Sequence, residues 1–214
     1  MAVEIDTELS RRLTAIAGEA SLSGGVALPS SAAEVAAMVA VLADMRHPMA
    51  VHSGPLDEAA GAGMPISLSR LTGIAVDRPN LVVRAEAGVT IADLRAAVDR
   101  EGQAVVGLPG STDAQRVGAL IARGEVPRRA LTGIELVLST GELVVSGGRV
   151  LKDVAGYDLA AAMLGSMGRL ALIVAATFRL QPAGARVAAG APGGARHTGG
   201  SAAAVAFDPG SLLR

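Results

Sequence analysis

The chain has 214 residues, 50% hydrophobic and 18% charged, with a net charge of −1. That supports one core-bearing domain or two small lobes, and it lacks the charge footprint that nucleic acid or an anionic membrane demands. Aromatics are 1% (Tyr157, Phe178 and Phe207), too few to stack on bases, and the absence of Cys excludes disulfides and thiolate metal sites.

The histidines, His47, His52 and His197, stand at no metal-ligand spacing. No apolar run reaches the ~18 residues of a membrane span. The start, MAVEIDTELSRRL, is charged and has no apolar signal stretch, so a cytoplasmic location is expected.

From Glu4 to Ala17, Ile5, Leu9, Leu13 and Ile16 recur at helical spacing. Val26 to Pro29 is extended. Ser30, Ser31 and Glu34 then form a capping-box start for a helix to about Arg46, with Val35, Met38, Val39 and Leu42 on one face. Pro48 to His52 is a short buried strand, so a βαβ unit is expected. The loop after it is Ser53-Gly54-Pro55-Leu56-Asp57-Glu58-Ala59-Ala60-Gly61-Ala62-Gly63.

Ile66 to Leu71 alternates and reads as a strand closing a first lobe. Asp77 to Asn80 is a turn. Leu81 to Ala87 is the next strand, and Thr90 or Gly88 caps a helix over Ile91–Arg100. Gly102 to Val106 is again extended. Leu108-Pro109-Gly110-Ser111-Thr112-Asp113-Ala114 leads to a helix start at Val117-Gly118-Ala119-Leu120. Leu131–Ser139 and Glu142–Val145 form a hairpin across Thr140-Gly141. Arg128 and Arg129, just before it, suit a phosphate or a solvated turn.

The most informative stretch is GGRVLKDVAGYDLAAAMLGSMGRLALIVAATFRLQP, Gly147 to Pro182. Small-residue turns at Ala155-Gly156-Tyr157-Asp158 and Gly165-Ser166-Met167-Gly168 flank a short helix, and a buried strand follows. Such turns present backbone N–H groups without Cβ obstruction, which suits a flat or phosphorylated ligand as well as a plain helix–turn–strand connection. From Ala183 onward Ala, Gly, Pro and Arg dominate and read as a linker, in which Val205 to Asp208 offers one short strand.

The residues Lys152, Ala155, Gly156, Tyr157, Asp158, Leu159, Met163, Gly165, Ser166, Gly168, Leu170, Ile173 and Pro182 together resemble a known signature. It is the late signature of FAD-binding domains of the vanillyl-alcohol oxidase / p-cresol methylhydroxylase (PCMH) type. The stretch is most similar to FAD-binding subunits of the bacterial glycolate oxidase complex. Asp153 and Ala171 depart from the pattern, where Asn and Gly are usual.

The resemblance implies an α+β, PCMH-type FAD-binding fold. Its parts would be a small N-terminal βαβ lobe over 1–76, a larger mixed-sheet lobe over 77–182 and a largely unstructured tail over 183–214, without a substrate (cap) domain. FAD would lie non-covalently between the lobes. The implied cofactor-binding residues are Ser53, Gly54, Gly110, Ser111, Gly118, Ala119, Gly156, Tyr157, Asp158 and Ile173, with main-chain donors at Gly54, Gly110, Ser111 and Gly118. No independent catalytic residue and no metal site is implied. The implied activity is oxidation of a small 2-hydroxy acid, with partner subunits completing the site.

The loop at 53–63 departs from a phosphate cradle. Pro55 has no N–H to donate, and Asp57 and Glu58 bring negative charge toward a dianion. That loop, Ala119 in place of a second Gly and the short length keep a flavin-free scaffold homologue open. A flavin-carrying subunit of a molybdenum hydroxylase would want aromatic and Gly-rich loops that this chain lacks.

Overall fold

The computed structural model describes residues 7–18, 22–23, 25–54, 63–108, 113–148, 158–184 and 205–207. Two sheets, each backed by helices, make a mixed α+β fold with no closed barrel. The chain moves from the first sheet to the second between Ser67 and Ile74.

The first sheet has the order β1-β2-β4-β3-β11. Its strands are β1 (Leu22–Ser23), β2 (Val26–Ala27), β3 (Met49–His52), β4 (Met64–Ser67) and β11 (Val205–Phe207). β2 and β3 both pair with β4 in parallel, whereas β1 and β11 join antiparallel at the two edges. Helix α2 (Ala32–Asp44) connects the parallel strands β2 and β3, the expected βαβ unit, with β4 lying between them in the sheet.

Helix α2 begins where the capping box places it. The Ser31 hydroxyl accepts the Glu34 N–H at 3.2 Å, and the Glu34 carboxylate accepts the Ser30 N–H at 2.8 Å. It ends where Arg46 takes a left-handed φ of 50° and the His47 N–H reaches back to the Leu42 carbonyl. Helix α1 (Thr7–Ala17) packs beside it through the buried Leu9 and Leu13.

The second sheet is antiparallel, in the order β5-β6-β10-β8-β9, with β7 pairing to the far end of β10. The strands are β5 (Ile74–Asp77), β6 (Val82–Glu86), β7 (Gln103–Val105), β8 (Leu131–Val137), β9 (Leu143–Gly147) and β10 (Leu172–Pro182). Helices α3 (Ile91–Asp99), α4 (Val117–Ala122) and α5 (Leu159–Met163) supply Leu94, Leu120 and Met163 to its core, against Phe178, Ile134 and Val83. Thr90, not Gly88, caps α3: its hydroxyl accepts the Asp93 N–H at 3.1 Å.

One expected strand is shorter than its alternation suggests. The run Ile66 to Leu71 is extended only through Ser67; residues Leu68–Arg70 form a 3-10 turn. The Ser67 hydroxyl accepts the Ser69 N–H at 3.4 Å, a local side-chain bond that competes with the ladder and turns the chain toward the second sheet.

The two sheets share apolar contacts. Val137, Leu172 and Val174 of the second sheet, with Ala87, lie in the same buried cluster as Ile66 of the first sheet and Val35, Met38 and Leu42 of helix α2.

Candidate functional site

Residues Ala87–Val89 are the knot of the molecule. The Gly88 N–H donates to the Leu71 carbonyl and the Ala87 N–H to the Val174 carbonyl, both at 2.9 Å. In return, the Ala87 and Val89 carbonyls accept the N–H groups of Gly118 and Val117 at the start of α4. A short hub thus ties the 3-10 turn, the central strand β10 and helix α4 together. Gly88 is Gly because space demands it: a Cβ there would lie 2.8 Å from the Leu71 carbonyl oxygen and overlap that of Leu68.

Against this hub sits the turn that ends β3. Ser53 lies beside Gly118, whose added Cβ would meet the Ser53 Cβ at 3.4 Å and the Ala87 Cβ at 3.0 Å. The Ser67 hydroxyl, almost fully buried, donates to the Gly54 carbonyl at 2.9 Å and lies 2.9 Å from the Ser69 hydroxyl. The Arg116 side chain covers the open face of Gly54; a Cβ on Gly54 would be 3.1 Å from its Nε and 3.4 Å from its Cδ. The Arg116 guanidinium also donates to the Gly88 carbonyl. One residue earlier, the Gln115 Oε1 is buried without a hydrogen-bond partner, an acceptor that a ligand donor would satisfy.

Of the residues singled out from the sequence, the structure therefore brings Ser53, Gly54 and Gly118 together. Gly118 differs from expectation in one respect. Its N–H is already bound to Ala87, so what it contributes is close approach of helix to turn, not a donor. Ala119 is half-buried on α4, one residue along.

Ile173 lies on β10, opposite Leu136, with its side chain in the core of the second sheet. Asp158 caps α5 at the surface: its carboxylate accepts the Ala161 N–H at 2.9 Å and pairs with the Arg128 guanidinium at 2.7 and 3.0 Å. The Arg128 hydrogen bond, helped by the Ala161 N–H, holds the Asp158 carboxyl below the usual aspartate range. Arg128 thus serves a surface carboxylate, a partner outside the two fates, phosphate or solvated turn, read from the sequence. Gly110, Ser111, Gly156 and Tyr157, like Pro55, Asp57 and Glu58, lie outside the described residues.

Arg116 was not singled out from the sequence. The signal available was a basic residue directly before the Val117-Gly118 helix start, but only the fold carries it over Gly54.

A separate concavity of about 780 Å³ lies on the outer face of the second sheet, lined by Asp77, Arg78, Arg84, Glu135 and Thr177 among others. Its charges answer one another. Arg84 grips Glu135 at 2.5 and 2.7 Å and reaches Glu86, and Arg78 pairs with Glu101, so no ligand is needed to balance them. Among the described residues no cluster of three His, Asp or Glu side chains is placed to hold a metal. No helix among them is long and apolar enough to cross a membrane.

A glycine-backed turn, serine hydroxyls and a half-buried guanidinium at a junction of two sheets make a donor set that fits the diphosphate of a dinucleotide. This is the architecture of a flavin-binding domain, and residues 23–147 match the family model described as "FAD binding domain". The chain belongs to that family, and FAD is the cofactor it implies.

The chain is 33% identical over 171 residues to a D-lactate dehydrogenase of Archaeoglobus fulgidus, covering 73% of this chain and 38% of that one. It is 26% identical over 177 residues to the glycolate oxidase subunit GlcD of Bacillus subtilis, covering 76% and 38%. Among solved structures, alkyldihydroxyacetonephosphate synthase shares the fold, with a TM-score of 0.66 at 16% identity over 84% of this chain and 41% of that one. The chain thus spans 38% of the length of each of these two curated relatives.

Proposed function

We propose that this chain is the FAD-holding part of an oxidoreductase that acts on a small 2-hydroxy acid, with a partner chain completing the substrate site. The observation that carries the reading is the family match lying over a junction whose donor set suits a diphosphate. The substrate class is supported by two relatives whose names refer to lactate and glycolate, both 2-hydroxy acids. The partner is supported by one of them being a subunit. FAD, when bound, supplies the hydride acceptor, which no side chain of this protein can be.

The protein's own contribution is binding and placement. Ser67 holds the Ser53–Gly54 turn in shape through the Gly54 carbonyl. Gly118 lets α4 approach that turn. Arg128 fixes Asp158, the cap of α5, to the 3-10 turn at Arg128–Ala130. Gly110, Ser111, Ala119, Gly156, Tyr157 and Ile173 are the further cofactor contacts proposed.

The test is an absorbance spectrum of the purified protein followed by thermal melts with added FAD. A flavin spectrum, or a melting point that climbs with FAD concentration, is expected, because a ligand that binds the native state must stabilise it. A colourless protein whose melting point ignores FAD overturns the reading and favours the flavin-free scaffold.

A further inference from the structure

We propose that Arg116 is the counter-charge for the FAD diphosphate, a role that rests on the FAD-holding function proposed above. Among the described residues, five arginines are half-buried: Arg12, Arg84, Arg95, Arg116 and Arg123. Four of them face a carboxylate, namely Asp44, Glu135, Asp113 and Glu125. Arg116 alone has none among the described residues; its hydrogen-bond partner there is the Gly88 main-chain carbonyl. A guanidinium carries five donors and cannot shed its proton, so partial burial without an anion leaves most of its bonding capacity unanswered. Its helix does not call for it either, since Arg116 stands at the N-terminal end of α4, where a cation meets the positive end of the helix dipole, and its side chain makes no cap.

What the position does provide is a planar, bidentate cation laid across a glycine turn at the junction of the two sheets. A guanidinium matches two phosphate oxygens at once, which an ammonium cannot do. Gly54 is the residue that admits the side chain there, because a Cβ would press on Nε at 3.1 Å.

The test uses the whole chain and measures binding, not turnover. FAD and ADP are titrated against the natural protein and the variants Arg116→Gln and Arg116→Lys, with ligand-free melting points recorded for each. Gln keeps a donor for the Gly88 carbonyl and removes the charge. The expected result is a loss of FAD and ADP affinity of about 10- to 100-fold in Arg116→Gln. Arg116→Lys should recover part of that loss, and the salt dependence of FAD binding should flatten in the Gln variant.

Unchanged affinity in Arg116→Gln overturns the proposal while leaving FAD binding itself intact. A loss of binding that tracks a fall in ligand-free melting point and is not relieved by Lys also overturns it, by making Arg116 a strut of the junction. If the natural protein binds neither FAD nor ADP, the functional reading falls and this inference with it.

Discussion

Asp158 shows how one side chain can serve two elements. It caps α5 and closes an ion pair with Arg128, both at the surface. Asp158→Ala should cost about 1 kcal/mol, as for a lost helix cap. Arg128→Ala should cost less than about 1 kcal/mol, because an exposed pair is screened. The sign of the pH dependence follows from the lowered carboxyl. A group whose folded pKa is depressed stabilises the fold above its unfolded value, near 3.9 for aspartate, and loses that contribution as pH falls through the lower folded value. Urea melts at neutral and strongly acid pH should therefore show the Arg128→Ala difference at neutral pH and its disappearance in acid. Gly88 is the opposite kind of residue, important for what it lacks. Gly88→Ala should cost upwards of about 3 kcal/mol, since both obstructing atoms are backbone carbonyls that cannot move alone. Denaturant unfolding that finds Gly88→Ala nearly neutral would mean the hub is loose.

Among the elements, α2 is held at both its start and its flank. Ser31→Ala removes one half of the capping box and should cost about 1 kcal/mol. The flank is pressed by the β8–β9 hairpin, whose turn residue Gly141 has a φ of +85° and would place a Cβ 2.6 Å from the Ala40 Cβ. Gly141→Ala combines left-handed strain with overpacking and should cost about 1–3 kcal/mol. A double variant of Ala40→Gly with Gly141→Ala, followed by thermal unfolding, should recover only a small part of the loss, because the Ala36 carbonyl oxygen at 2.7 Å and the Ala40 Cα at 2.9 Å still obstruct the new Cβ.

The molecule as a whole has two sheets, but its apolar clusters do not divide along them. Leu172 and Val174 come from the second sheet and are buried with Ile66 of the first and with Met38 and Leu42 of helix α2. Removing one sheet would expose the other's core, so the described residues should unfold in one cooperative transition. Far-UV circular dichroism and calorimetry should report the same midpoint; separated midpoints would show that the shared cluster contributes little. The junction this sharing creates is where the Ser53–Gly54 turn, the Ala87–Val89 hub and Arg116 meet, so the proposed cofactor site and the shared core depend on one another.

Local chemistry was readable along the chain. The Ser30-Ser31-Glu34 box, a cap at Thr90 or Gly88, the hairpin at Thr140-Gly141 and the buried strand over Leu170–Leu180 all depend on neighbours within a few residues, and so did the signature at Gly147–Pro182 that pointed to FAD. What required the tertiary structure was every relation between distant segments. Strand β4 slots between β2 and β3, which no periodicity encodes, because strand order is decided by which faces can be buried together. The Ile66–Leu71 alternation ended early because Ser67 bonded locally and the chain had to reach another sheet. Gly118 looked like a phosphate donor, yet its N–H is bound to Ala87, 31 positions earlier in the numbering. Arg116 passed as one basic residue among many; only the fold sets it over Gly54 without a carboxylate, because burial and charge balance belong to three-dimensional surroundings and not to the order of residues.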